Sequence, residues 1–536
     1  MDRDQLHLGR TYARARSFFP DQTVHSVVDG EQQTLTYRDL FARVDRLAHA
    51  LRELGVQPGD RVATLGWNHH RHLEVYLAAT WTGAVLHTIN VRITAAQVAA
   101  IASDARDVVI FYDEDVADLA IAAVQARTPA VVPLVCFGSA GTVPPDGQDV
   151  LDYEGLLASQ SSDPYTYPEL GESHPAATCY SSATTGTPKG VVYSHRSQVL
   201  HAAMLSHVDT WGLGRRDVVL PVVPMFHVNA WGLPFAAIAA GATLVLPGAR
   251  PRPELLVDLV EAFAVTLVAA VPTVWSDVFD VVRRDPSVDV SSLRLAVCGG
   301  APLSRALIDQ ADRLAVPLVH SYGMTEASPL VLVGERRAES NLSDDASTTR
   351  RLRQGRVVPG VEFRVVDDAG GDVPWDGASI GELWLRGPWI AEEYPGDARS
   401  ASAFTADGWY LSGDVVTIDR DGLVQLVDRQ ADLIKSGGEW ISSVDVENAL
   451  MEHPRVRSAA VAGVPDERWQ ERPWAFVVVE DSFTTDDDLR RHLDSRLSKF
   501  WVPDRFVRVD EVPLTSVGKF DKRALRASAA TLQAVE

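Results

Sequence analysis

Cysteine is scarce in this chain: Cys136, Cys179 and Cys298 are the only three, an odd number set far apart. That excludes a disulfide framework and a cysteine-built metal site, and predicts three reduced thiols. Long apolar runs are lacking too, since none approaches the ~20 residues needed to cross a bilayer. The opening Met1-Asp2-Arg3-Asp4-Gln5 leads into charged residues, where a secretory signal would need an apolar core. Together these features predict a soluble, cytoplasmic protein. Basic charge is in deficit, with 50 Lys and Arg against 72 Asp and Glu and a net charge of −22. Such a field opposes sequence-independent binding to nucleic acid and to anionic lipid. An anionic substrate must therefore be held by donors placed close to it.

What is present points to more than one structural unit, because 536 residues exceed what one core usually organises. Thr36-Tyr37-Arg38-Asp39 reads as a capping box, and Leu40, Val44, Leu47, Leu51 and Leu54 follow at helical spacing before Gly55. Short apolar runs at 62–65, 108–112, 218–223, 243–246, 267–271, 293–297 and 316–320 are bounded by turn residues and separated by helix-like segments. This alternation predicts mainly parallel sheets covered by helices, with ligands at the strand ends. The polar stretch 335–353 reads as a mobile surface loop. Short strands and turns follow, at 361–366 and 381–385, and form a β-subdomain. The last unit has strands at 459–464 and 475–479 and helices at 444–451 and 485–497. The predicted fold is α/β: a large N-terminal domain over residues 1–428, and a small mobile α+β domain over 429–536, hinged near Asp428.

The densest chemical signal is Tyr180-Ser181-Ser182-Ala183-Thr184-Thr185-Gly186-Thr187-Pro188-Lys189. Small residues let backbone N–H groups turn toward an anion, hydroxyls add donors, and Lys189 adds charge that can follow phosphates. It is not a Walker A loop, because Pro188 precedes the lysine and Gly190 follows it. Read alone, a solvated Ser/Thr turn between strands fits it as well. Further segments suit one nucleotide site. Ser321-Tyr322-Gly323-Met324-Thr325-Glu326 offers an aromatic face, a turn and a carboxylate; Tyr410-Leu411-Ser412-Gly413-Asp414 offers an acid on a turn; Asp428-Arg429 and Gly518-Lys519-Phe520 follow.

In this order, over about residues 25 to 525, the segments resemble the adenylate-forming superfamily of acyl-CoA synthetases, firefly luciferases and peptide-synthetase adenylation domains. The stretches 67–74, 224–231 and 435–443, including Pro224-Met225-Phe226-His227-Val228-Asn229-Ala230-Trp231 and Lys435-Ser436-Gly437-Gly438-Glu439-Trp440, are most similar to the medium- and long-chain fatty acyl-CoA synthetases. The resemblance implies a two-step reaction with ATP, Mg2+ and CoA: the carboxylate of a medium- or long-chain fatty acid, or of an aryl acid, attacks the α-phosphate to give acyl-AMP and pyrophosphate, and CoA then displaces AMP. It puts Lys519, Thr184, Glu326 and His227 in the catalytic set. Thr184 and Glu326 would contact the metal, and Lys519 would bridge the carboxylate and the α-phosphate. Ser181, Ser182, Thr185, Gly186, Thr187 and Lys189 would hold the β- and γ-phosphates. Tyr322 would stack on adenine within the turn of Ser321, Gly323, Met324 and Thr325, with Gly300, Ala301 and Pro302 opposite. Asp414 and Arg429 would take the ribose hydroxyls. His227 and Trp231 would wall the acyl pocket, and Trp440, near Lys435, would gate it.

Lys519 reaches ATP only if the small domain closes, so the resemblance implies a domain that moves about Asp428 and later presents Gly437-Gly438 to pantetheine. A homodimer is expected by analogy alone. Ala183 departs from the family pattern, where glycine is usual, and its Cβ predicts modestly weaker ATP binding. His69, His70 and His72 form a run that could hold a metal, but packed or solvent-facing histidines explain it more simply. His227, Trp231 and Trp440 read on their own as packing aromatics. Two rival functions remain: a relative that activates nitrite to diazotise an aromatic amine, and a catalytically silent adenylate-binding protein. A free-standing adenylase feeding a separate carrier is also open.

Overall fold

The computed structural model describes residues 5–126, 132–138, 150–181, 188–336, 344–437, 439–480, 484–515 and 519–535. Two large sheets dominate. One runs Arg356–Val357, Leu330–Val333, Leu318–Gly323, Leu295–Gly299, Leu267–Ala270, Val218–Pro221, Thr243–Leu246, Thr23–Val28 and Glu31–Thr36, parallel except at its edges. The other runs Val150–Asp152, Leu134–Cys136, Val109–Tyr112, Arg61–Leu65, Val85–Thr88, Pro175–Tyr180 and Gly190–Ser194, parallel except for its last pair.

Strand periodicity decides which core each side chain joins. Leu267 and Ala269 face a central core that both sheets share, while Val268 and Ala270 face an outer one covered by helices Pro253–Ala262, Pro272–Arg284 and Arg305–Arg313. In the second sheet Val62 faces the central core, and Ala63 and Leu65 face helices Ala95–Ala105 and Ala117–Gln125. The central layer holds helices Leu8–Phe18, Tyr37–Glu53, His70–Thr82, His195–Leu205 and Leu233–Ala240. Tyr37–Glu53 starts with the expected capping box, Thr36 and Asp39 each bonding the other's backbone N–H. Leu233–Ala240 is apolar on every side, as a helix enclosed by other elements must be.

Two smaller sheets follow. Glu362–Val366, Gly381–Arg386, Tyr410–Ile418 and Val424–Arg429 form an antiparallel sheet. A separate C-terminal domain has the order Glu439–Ile441, Ile434–Ser436, Gln470–Val479 and Val456–Asp466, with Arg505–Arg508 pairing parallel to Gln470–Val479. Its two faces bury distinct cores under helices Ser443–Met451 and Asp486–Asp494 on one side and Lys522–Val535 on the other. Among the described residues no helix is long and apolar enough to cross a membrane.

One expectation is overturned. The stretch 335–353 is not a mobile loop over its described part, because Asp344–Leu352 is a helix. Arg351 is 4% exposed and binds Asp312 at 2.9 Å, while Arg350 joins Glu335 and Asp421. Its polar residues are therefore spent on buried and half-buried ion pairs rather than on solvent, a use that composition alone does not reveal. Residues 337–343 lie outside the described set. Two strands also sit further along than expected. Leu295–Gly299 and Leu318–Gly323 run two or three residues past the apolar stretches, so that their last residues are polar or glycine and open onto the site.

Candidate active site

The site lies where those two parallel strands end. Gly300 follows the first with φ +82°, a left-handed conformation that glycine adopts without strain. Behind it stands Trp231, 7% exposed; a Cβ on Gly299 would lie 3.1 Å from its ring. Ser321, at the end of the second strand, accepts a 3.2 Å bond from the Trp211 indole and is 5% exposed. Beside it Tyr322 donates its hydroxyl to the Asp414 carboxylate. Asp414 is 3% exposed and lies opposite Arg429 in the antiparallel ladder, with the guanidinium at 3.3 Å. Burial and the two acidic neighbours of that phenol, Asp414 foremost, hold Tyr322 well above the ordinary tyrosine range.

Glu326 follows on a short 3-10 turn, Thr325–Ala327, and is 8% exposed. Its carboxylate accepts the Tyr394 hydroxyl at 2.7 Å, and the Thr325 carbonyl accepts the Tyr193 hydroxyl at 2.7 Å. The Lys189 ammonium stands 4.5 Å above the centre of the Tyr394 ring. Ser181 and Lys189 close the base of the expected phosphate loop, the Ser181 N–H donating to the Lys189 carbonyl at 2.9 Å. Ser182, Ala183, Thr184, Thr185, Gly186 and Thr187 lie outside the described residues. Met324 holds the turn through its N–H, which donates to the Pro329 carbonyl at 3.1 Å; a Cβ on Gly323 would meet that carbonyl at 2.1 Å. Ala301 and Pro302 follow Gly300 and are half-buried.

Lys519 reaches this site from the C-terminal domain. Burial and the Arg429 guanidinium lower its ammonium to about 8, against the opposing pull of Asp414 and Glu326. His227 feels Lys519 in turn: burial first, then Lys519 and Arg92, lower it to about 3, so it is neutral at physiological pH. One lysine thus shares its surroundings with the histidine, the two acids and the arginine, all contributed by earlier parts of the chain.

The wall beyond His227 is built of strained backbone. Val228, Asn229, Ala230 and Trp231 have φ of 44°, 52°, 50° and 56°, and Gly232 continues at 74°. Left-handed residues cost roughly 1–2 kcal/mol each when they carry a Cβ, so the surroundings must over-determine this turn. They do: all four side chains are buried, and the Asn229 amide oxygen accepts the Cys179 thiol at 2.7 Å.

Lys435 and Trp440 are arranged otherwise. They face each other across the hairpin of Ile434–Ser436 and Glu439–Ile441, ammonium 5.3 Å from the ring centre, both exposed. Gly437 lies in the turn between them with φ +56°, and Gly438 is outside the described residues. The histidine run is packed. His69 lies 3.1 Å from Asp113, the His72 ring nitrogens lie 2.9 Å from the Trp67 carbonyl and 2.8 Å from Thr64, and burial lowers His70 to about 2. Among the described residues no group of three His, Cys, Asp or Glu could hold a metal. A single buried carboxylate at Glu326, with substrate phosphates completing the shell, nevertheless fits how Mg2+ is bound in phosphate sites.

Tyr394, Tyr193 and Trp211 are site-building residues that sequence reading missed. Each sits among residues with no nucleotide-loop pattern, and only the fold brings it to Glu326, Thr325 or Ser321.

A family model described as AMP-binding enzyme matches residues 13–395, and its companion, AMP-binding enzyme C-terminal domain, matches residues 445–519. The chain belongs to the AMP-binding enzymes. The second match ends on Lys519, so the two matched regions carry between them Lys189, Tyr322, Glu326 and Lys519. Similar proteins span nearly its whole length. A long-chain-fatty-acid–CoA ligase of Thermus thermophilus is 44% identical over 98% of this chain and 95% of its own. A 3-methylmercaptopropionyl-CoA ligase of Ruegeria pomeroyi is 40% identical over 93% of this chain and 92% of its own. Among solved structures, ATP-bound MatB from Rhodopseudomonas palustris superimposes with a TM-score of 0.83 at 26% identity, over 98% of this chain and 99% of that one.

Proposed function

We propose that this AMP-binding enzyme is an ATP-dependent acid–CoA ligase that forms acyl-AMP and pyrophosphate and then passes the acyl group to CoA. The observation that carries the reading is Lys519 standing within the electrostatic reach of Glu326, Asp414, Arg429 and His227. Attack by a carboxylate on the α-phosphate spreads negative charge over that phosphate and the departing pyrophosphate. Catalysis then consists mainly of positioning and of charge placed in advance. Lys519 supplies the charge between the two reacting anions, and Lys189 supplies it at the far end of the phosphates. Asp414 accepts ribose hydroxyls with Arg429 alongside, and Tyr322 offers its ring to adenine over Gly300, Ala301 and Pro302. Glu326 and Thr184 would hold Mg2+, which neutralises phosphate charge when bound. Tyr394 fixes the Glu326 carboxylate for that role. His227 and Trp231 bound the acid.

The acid is a medium- or long-chain fatty acid, in keeping with the 44% identical relative named for long chains. The relative named for 3-methylmercaptopropionate at 40% identity makes a short acid the second reading. Both relatives carry CoA in their names, which favours CoA over nitrite chemistry. The experiment is pyrophosphate release from ATP and magnesium across acids of graded length, aryl acids and nitrite, each with and without CoA. Release that requires an alkyl acid and accelerates with CoA is expected; release that answers to nitrite and ignores CoA overturns the reading.

A further inference from the structure

Neighbouring residues of a strand point to opposite faces, and at the end of Val424–Arg429 this matters. Arg429 turns toward Asp414 and the nucleotide site. Asp428 turns the other way, into the C-terminal domain, and is 2% exposed. Its carboxylate accepts the backbone N–H of Ser443 at 2.8 Å and the Ser443 hydroxyl, and the N–H of Arg429 at 2.8 Å. The Lys522 ammonium, whose side chain is 10% exposed, completes the cluster: it donates to Ser443 Oγ, lies 3.1 Å from Glu447 and 3.9 Å from Asp428. Glu447 is 4% exposed and also accepts the Val461 N–H at 2.8 Å. One buried ammonium therefore serves two buried carboxylates.

Lys522 opens the helix Lys522–Val535, three residues beyond Lys519. Residues 519–521 are paired with 513–515: Leu514 bridges Phe520, the Thr515 N–H donates to the Lys519 carbonyl at 2.6 Å, and the Asp521 N–H donates to the Pro513 carbonyl at 2.8 Å. A second tie runs from the same helix, Arg526 to Asp432 at 2.7 Å. Glu447, Ser443 and Lys522 all belong to the C-terminal domain, whereas Asp428 lies in the last strand of the preceding sheet. A rotation that withdraws Lys519 carries Ser443 and Lys522 along while Asp428 stays with the preceding sheet, and so strains these contacts.

We propose that Lys522 is a positioning residue that pins the segment carrying Lys519 to Asp428 and so holds the C-terminal domain in the adenylating pose. The inference rests on the acid–CoA ligase reading and adds a residue to it. Removing the ammonium leaves Asp428 and Glu447 buried without their cation, which the fold relieves by letting Asp428 part from the C-terminal domain.

The test is Lys522→Met and Lys522→Arg in the full chain, with the two half-reactions measured separately. For Lys522→Met, acid-dependent pyrophosphate release should fall about tenfold or more, while thioester formation from supplied acyl-AMP and CoA changes less than about threefold, a split of at least ~0.7 kcal/mol between the two barriers. Lys522→Arg should recover most of the loss. Equal losses in both half-reactions, or no loss in either, overturn the proposal. Should Lys522→Met fail to fold, Ser443→Ala removes the shared hydroxyl more gently and should move the ratio the same way; an unmoved ratio overturns the proposal too. Tryptic cleavage after Arg429 in the unliganded protein gives a readout that needs no substrate. It should quicken about fivefold in Lys522→Met, since release of this contact exposes the strand end. Wild-type protein that turns over no acid would refute the ligase reading, while this cleavage assay would still decide the role of Lys522.

Discussion

The two sides of the site are held by different means. On the side proposed to take the acid, residues 228–232 form a left-handed turn clamped by buried side chains and the Cys179–Asn229 contact. On the C-terminal side, the junction is a cluster of charges and hydroxyls around Asp428, Ser443 and Lys522. A strained turn survives only inside dense packing, so that wall does not move by degrees. Ion pairs and hydroxyl contacts can be exchanged for water at modest net cost, so that junction can open. The contrast suits a reaction in which one lysine arrives and leaves while the acid stays in place.

The sharpest break in this comparison is Lys519→Ala. It should cost adenylation about 10²–10³-fold, the scale of removing one preorganised charge-stabilising donor, and leave thioester formation from supplied acyl-AMP largely intact. Separate assays of the two half-reactions check it; equal losses would place Lys519 outside the moving part.

Comparable in free energy is Trp231→Ala, aimed at the fixed side. Emptying a site 7% exposed and packed against Gly299 should destabilise the protein by about 3–5 kcal/mol, read by denaturant unfolding. The clamp on the left-handed turn goes with it, so binding of the acid should weaken more than binding of ATP. A variant that keeps its stability and its acid affinity would show that the wall does not depend on this ring.

The lysine side can also be probed by pH. Lys519 is lowered to about 8 by burial and by Arg429, and in the proposed reaction its charged form is the active one. In the free enzyme, kcat/KM for adenylation should be flat from about pH 6 to 7.5 and fall toward tenfold per pH unit above about 8. His227, lowered to about 3, is neutral throughout and adds no acid limb. Lys519→Arg, slower overall, should lose the alkaline limb because a guanidinium stays charged. A limb that persists in this variant assigns the titration elsewhere.

Much of this was legible in the sequence. The capping box before Leu40 and the alternation of apolar runs are local signals, and the α/β architecture followed from them. Segment order brought Tyr322, Glu326, Asp414, Arg429 and Lys519 to one place, and the structure puts these five together. Less legible was whatever depends on contacts distant in the chain. Tyr394 matters because its hydroxyl meets Glu326, 68 residues away, and Lys522 because it meets Asp428. Asp344–Leu352 looked like loop because its partners Asp312 and Asp421 lie far along the chain. The left-handed turn was hidden for the opposite reason, since Val228 and Trp231 are residues that by themselves disfavour positive φ.

The smallest expected effect tests that turn directly, through one substitution made on both sides of the comparison. Ala230 has φ 50° and a buried Cβ, so Ala230→Gly removes strain of roughly 1–2 kcal/mol, adds the greater chain entropy of glycine, roughly 0.5–1 kcal/mol, and gives up a buried methyl of ~0.8 kcal/mol, for a net change of less than about 1 kcal/mol. Ala449, also buried but within the right-handed helix Ser443–Met451, has no such strain, and Ala449→Gly should destabilise by about 1.5–2 kcal/mol. Chemical denaturation of the two variants gives the difference. A cost at Ala230 at least about 1 kcal/mol below that at Ala449 locates stored strain in the wall beyond His227. If Ala230→Gly destabilises as much as Ala449→Gly does, the turn is relaxed, and the rigidity of that wall must come from its packing alone.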